Sequence, residues 1–204
     1  QKGIKHNKKS VEAIAKELQI DDLTEIKELT ELAIVNVARE IAQGKGTVEE
    51  KYYRIVELYN NQMILSHRTS QSILLQQYST PAPIAYLMGV YCGLQHLHTQ
   101  GGYAFEPSAG NGLLTIAAEP QRVYVNEIDV TRNRNLQTQG FANVFSRDAT
   151  NYFSYTDLKN TFQAVLTNPP FGRLRTPAEF SNFTISDLDH HMALKALETM
   201  LPNG

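Results

Sequence analysis

Tyr103-Ala104-Phe105-Glu106-Pro107-Ser108-Ala109-Gly110-Asn111-Gly112 passes from an apolar run into a glycine-containing turn, the junction at which an α/β pattern begins. Tyr103-Ala104-Phe105 reads as a strand and Gly112 to Ala118 as a helix. Gly110 and Gly112 permit a tight turn between them and a close approach of backbone to a ligand. The alternation continues downstream. Arg122 to Asn126 reads as a strand, Thr131 to Gln139 as a helix, Val144-Phe145 as a short strand, Phe162 to Thr167 as another, and Leu188 to Leu201 as a closing helix. Strands alternating with helices predict a parallel sheet with helices on both faces. Such sheets bind ligands at the C-terminal ends of their strands, near a topological switch point.

The polar residues of interest fall at those ends. The turn misses the dinucleotide fingerprint, because Thr115 stands where a third glycine is needed. Glu106 would repel a pyrophosphate; it suits a ligand with positive charge, such as an amino group. Glu127 closes the second strand, where an acid can accept both hydroxyls of a ribose. Asp129 competes for that role and is equally placed to cap the helix from Thr131. Asp148 follows the third strand and can accept from an adenine amino group, or serve only as a turn residue.

The fourth strand feeds into Asn168-Pro169-Pro170-Phe171. Two prolines exclude a helix interior or a central strand and leave carbonyls outside any ladder. An amide, spare carbonyls and a flat ring at a strand end form a receptor for a planar group bearing an NH2.

The 204 residues suit one domain, or a domain plus an extension. A hydrophobic content of 42% is enough to bury a core, and the net charge of −2 gives no basic footprint for nucleic acid. Cys92 is the single cysteine, which excludes an internal disulfide and a cysteine-based zinc site. No apolar run approaches the roughly 18 residues of a membrane span, so no membrane partner is expected. No signal peptide is visible, and a cytoplasmic location is the expectation.

Residues 1–77 read as an all-helical segment ahead of the α/β region, 78–204. Ser10 is placed to cap a first helix and Asp21 or Asp22 a second, which Gly44 and Gly46 end. Thr47 with Glu50 forms a capping box for a third. The Lys/Glu-rich faces of these helices read as solvated surface.

The strand-end residues, in this order, resemble the S-adenosylmethionine-dependent N6-adenine DNA methyltransferases. Phe105 to Gly112 is similar to their cofactor motif, and Thr167-Asn168-Pro169-Pro170-Phe171-Gly172 to their catalytic motif. Gln77-Tyr78-Ser79-Thr80-Pro81 with the helix Ile84 to Leu94 resembles the segment that precedes the cofactor motif in type I modification subunits and fused restriction–modification enzymes. The resemblance implies a Rossmann-like methyltransferase sheet with flanking helices. It also implies that the chain stops before a fifth strand, as a piece of a larger polypeptide or the partner of a specificity subunit.

By that resemblance, Thr80 and Pro81 contact the methionine end of S-adenosylmethionine, and Glu106, Ser108, Gly110 and Gly112 line the same end. Glu127 holds the ribose, Ile128 lies against the adenine ring and Asp148 holds its amino group; Pro107, Ala109 and Ala149 complete the cofactor set. Asn168 and the Pro169 carbonyl accept the amino hydrogens of a target adenine flipped from double-stranded DNA, beside Pro170, and Phe171 stacks on its ring. No metal is implied. His190 and His191 fall in the closing helix and receive no role, since the chemistry is mostly positioning. RNA or a protein glutamine amide offers a similar NH2 and is the alternative acceptor. A non-catalytic cofactor-binding module and a DNA-binding helical adaptor are the readings from other classes.

Overall fold

Four short strands set the frame: β1 (Ala104–Glu106), β2 (Val123–Asn126), β3 (Asn143–Phe145) and β4 (Ala164–Val165). They pair in parallel in the order β3-β2-β1-β4. The chain steps outward from β1 to β3 and then crosses back to β4 on the other side of β1. The switch point of the sheet therefore lies between β1 and β4, where a ligand crevice is expected. The computed structural model describes residues 6–62, 79–150 and 157–204. Gln77 and Tyr78 of the segment before the turn, and the helical reading of 63–77, lie outside the described residues.

Register gives the sheet its two faces. Ala104 stands opposite Val123 and Ala164, and Phe105 opposite Tyr124 and Val165. Side chains alternate along a strand, so the first set faces one way and the second the other. Ala104, Val123, Val125 and Ala164 join a core with Val35, Ala38, Ile55, Ala85 and Tyr86. Phe105 packs with Phe162 and Met192 on the far face, the two rings stacked 5.0 Å apart. Both faces are covered, as a parallel sheet requires.

The first face is covered largely by residues that precede β1, from Val35 onward. Helices α1 (Lys8–Glu17), α2 (Leu23–Gln43), α3 (Val48–Asn61), α4 (Ala82–Tyr91) and the single turn α5 (Leu97–Gln100) precede β1; α6 (Val130–Gln137) follows β2, and α7 (Leu188–Leu197) covers the second face. Asp22 caps α2, and the Thr47–Glu50 capping box opens α3. The first cap differs from expectation. Asn7, not Ser10, caps α1; Ser10 sits three residues in, and its hydroxyl accepts from the Asn7 N–H at 2.8 Å. Among the described residues, no helix is long and apolar enough to cross a membrane.

Two further departures have physical causes. Gly112 to Ala118 forms no α-helix, only a tight turn at Leu113–Thr115. The N–H groups of Thr115, Ile116 and Ala118 bond three residues back, and the Thr115 hydroxyl also takes the Gly112 carbonyl. Arg39 of α2 donates to that same carbonyl, and Pro120 stops any continuation. The second departure is an antiparallel hairpin, β5 (Arg173–Phe180) and β6 (Phe183–Asp187), directly after the two prolines. Pro177 lies inside the stretch where its register shifts, because proline cannot donate to the ladder. Beyond α7, Met200 returns parallel beside Phe162 in an isolated bridge.

The charged faces of α2 are not all solvated, which corrects the sequence reading. Glu28 and Arg39 are 2% and 7% exposed. Each finds a partner across the fold: Glu28 accepts from Arg132 Nε at 2.8 Å, and Arg39 donates to Thr115 Oγ1 at 3.0 Å. Burial lowers the Arg39 guanidinium to about 10, so it is still a cation at neutral pH. A buried charge of this kind is tolerated only when paired.

Candidate cofactor and acceptor cleft

The ends of β1, β2 and β4 open into one cleft of about 640 Å³. Its floor begins at Glu106, the last residue of β1, which is 1% exposed. Among the described residues, neither carboxyl oxygen of Glu106 has a hydrogen-bond partner. Burial pushes this carboxyl well above the ordinary carboxylate range; the charge of Glu127 adds to the rise, and the Asn168 N–H, short of hydrogen-bond geometry, opposes it. An unpartnered buried acid is costly. It fits a ligand that brings its own positive charge, such as an ammonium or a sulfonium.

The glycine turn is held from beneath. Gly110 and Gly112 have φ of 56° and 89°, a region that a side chain rarely adopts. The Gly110 N–H donates to Glu127 Oε2, and the Asp129 N–H to Oε1, both at 2.8 Å. Burial holds the Glu127 carboxyl above the ordinary carboxylate range; these two N–H groups and the Arg132 cation offset only part of that rise, and the Asp129 charge adds to it. Each oxygen keeps lone-pair capacity for a ligand hydroxyl. Asp129 itself caps α6, accepting from the Thr131 and Arg132 N–H groups at 3.0 Å. The competition seen in the sequence thus resolves locally: Asp129 caps the helix, and Glu127 lines the cleft.

On the β3 side, Asp148 and Ala149 line the cleft. Asp148 Oδ1 also closes its own turn, accepting from the Thr150 N–H at 2.9 Å. Ile128, 52% exposed, forms part of the wall there. On the β4 side, Asn168 and Pro170 face the same space as Thr80 and Pro81. Asn168 Nδ2 donates to Thr80 Oγ1 at 3.2 Å, which joins the end of β4 to the wall ahead of α4. Ser108 and Thr167 share a 2.9 Å hydroxyl contact that ties the glycine turn to the end of β4.

Three residues of the anticipated set are not in the lining. Gly112 packs behind the wall, where an added Cβ would meet Leu136 and Phe141 at 3.2 Å. Pro169 lies outside the lining as well, and Phe171 stands clear of the cleft, 55% exposed. Pro107 and Ala109 line it together with Ser108 and Gly110.

The structure adds residues that sequence reasoning passed over. Asn126 donates to the carbonyls of Pro107 and Arg147 at 2.9 and 3.0 Å and accepts from the Arg147 N–H, stitching the loops after β1, β2 and β3 together. A polar side chain ending the apolar run Val123-Tyr124-Val125 was a readable signal. Glu31 of α2 and Arg132 of α6 also line the cleft. They had no signal, because their partners lie far away in the chain. Comparison with protein-family models and with curated proteins finds no match to this chain.

Proposed function

We propose that this chain is the core of an S-adenosylmethionine-dependent methyltransferase that modifies the N6 amino group of adenine in DNA. The observation that carries the reading is the meeting of Glu106 and Asn168 in one cleft at the switch point of the sheet. One group suits a cationic cofactor end, and the other suits an amine. S-adenosylmethionine, when bound, supplies a methyl group on a sulfonium, already a good electrophile.

The residues present fit that group. Glu106 would face its positive end, and Glu127 would accept from its ribose hydroxyls. Thr80, Pro81 and the turn from Pro107 to Gly110 would enclose the methionine part. Asp148, Ala149 and Ile128 would border the adenine. Asn168 Oδ1 and the Pro169 carbonyl would hold the two hydrogens of the target amine. That grip turns the nitrogen lone pair out of conjugation and toward the methyl group. Positioning of this kind supplies roughly 7–11 kcal/mol without a strong base. Phe171, 55% exposed and outside the cleft lining, would stack on the flipped base.

The net charge of −2 argues that the main grip on DNA lies in a further part of a larger polypeptide or in a specificity subunit. The reading places the reaction in the cytoplasm. Labelled methyl transfer by the full-length protein to duplex DNA, tRNA, rRNA and release factor tests it. Label at adenine N6 of DNA is the expected outcome. Label in RNA or protein alone would transfer the proposal to that acceptor and remove DNA.

A further inference from the structure

Glu31 sits on α2, in the helical segment ahead of the sheet, yet its carboxylate lines the cleft. Its Oε2 accepts from Ser79 Oγ at 3.1 Å and from Asn111 Nδ2 at 3.1 Å, and lies 3.8 Å from Arg132 Nη2. Three separate pieces of the site therefore converge on one oxygen. Ser79 precedes Thr80, which holds Asn168. Asn111 sits inside the glycine turn, between the two residues of positive φ. Arg132 lies under that turn, its Nη1 3.7 Å from where a Gly110 side chain would begin.

The neighbouring Glu28, one helical turn earlier, secures the far side of the same cluster. It accepts from Arg132 Nε and from Asn111 Nδ2, each at 2.8 Å. Burial works against the Arg132 charge, and the hydrogen bond and charge of Glu28, with Glu31 and Glu127, more than offset it. Glu28 is buried and paired, whereas the Glu31 side chain is 25% exposed toward the cleft. Glu28 serves as the anchor, and Glu31 is the contact that reaches both walls.

We infer that Glu31 is a positioning residue: α2 uses it to fix the distance between the glycine turn and the Ser79–Pro81 wall, so the preceding helices form an integral half of the cleft. The consequence for cofactor affinity rests on the function proposed above; the consequence for the turn does not. Charge-assisted hydrogen bonds of this kind stabilise more than neutral ones, and local opening of a turn is read by amide exchange.

Hydrogen exchange on the full chain tests the inference, comparing wild type, Glu31→Ala, Glu31→Gln and Ser79→Ala. The Gly110 and Gly112 amides, both hydrogen-bonded, are the reporters, and α7 in the same sample is the reference. In Glu31→Ala the turn should exchange about tenfold faster or more relative to α7. Glu31→Gln, which keeps an acceptor and loses the charge, should fall between; Ser79→Ala should loosen its own wall more than the turn. Exchange equal to wild type, or an equal rise in α7, overturns the inference. In a second arm, calorimetry with S-adenosylmethionine should show about tenfold weaker binding by Glu31→Ala. A wild-type chain that binds none would remove the proposed function and leave the exchange result to decide the inference.

Discussion

The two halves of the cleft are built differently. The half formed by the turn after β1 and the end of β2 is locked before any ligand arrives. Glu127 holds two backbone N–H groups, Asn126 ties three loops, and the α2 carboxylates grip Asn111 and Arg132. The half on the β4 side, lined by Asn168 and Pro170, is tied by Asn168–Thr80 and Ser108–Thr167, and the Phe171 ring beyond it stands 55% exposed. A rigid half suits a small ligand that always has the same shape. An open half suits a group delivered on a large partner, whose approach the site must not block. Preorganised contacts lower the entropic cost of the first ligand, and the second brings its own stacking surface.

The largest expected effect lies in the open half. Asn168→Ala should lower the rate of methyl transfer by about 10²–10³, the scale seen when one preorganised polar contact to the reacting group is removed. Calorimetric affinity for S-adenosylmethionine should stay near wild type; a parallel loss would show that the halves are not separable. Next comes the locked half. Glu127→Ala should weaken the cofactor by roughly ten- to a hundredfold, since hydrogen bonds to a charged group are worth about 1.5–3 kcal/mol. Equal affinity would remove Glu127 from the ribose role.

Phe171→Ala sharpens the contrast from the acceptor side. If the ring stacks as proposed, its loss should weaken binding of the flipped base by about 1–3 kcal/mol, read as a raised KM for DNA with cofactor affinity unchanged. A changed cofactor affinity would place the ring in the wrong half. The smallest effect concerns stability. The Glu106 carboxyl lies above its unfolded-state value, so folding is unpenalised at acid pH and loses stability as pH rises past about 4.5. Glu106→Gln should therefore raise Tm by a few degrees at neutral pH, a gain that vanishes near pH 4. The same variant should bind S-adenosylmethionine less tightly. A lower Tm at pH 7 would show that the acid is paired in the folded protein.

Much of the frame was legible because it rests on local pattern. The strand readings near Ala104, Val123, Val144 and Ala164 fall on β1 to β4, since short apolar runs bounded by turn residues leave few alternatives. The parallel arrangement agrees with the expectation drawn from alternating strands and helices, although among the described residues only β2 and β3 have an α-helix between them. Illegible features depend on distant partners. Gly112 to Ala118 carries a helical pattern, but a guanidinium from α2 takes the carbonyl that a helix would have used. The hairpin from Arg173 to Asp187 contains a proline and polar residues, and its pairing is visible only once the strands meet. Glu28 and Glu31 look like surface charges along α2, and nothing nearby in the sequence announces Arg132. Within the cleft, residue types at strand ends were readable, while the bonds holding them in place were not.

The buried pair of Glu28 and Arg132 also sets a schedule. The two residues are 104 positions apart. At synthesis rates of about 5–20 residues per second, α2 is made roughly 5–20 s before Arg132, and Lys27, 3.9 Å from Glu28 Oε1, is the cation at hand earlier. The lock that Glu28 and Arg132 place beneath the glycine turn can therefore close only once β2 and the start of α6 have been made.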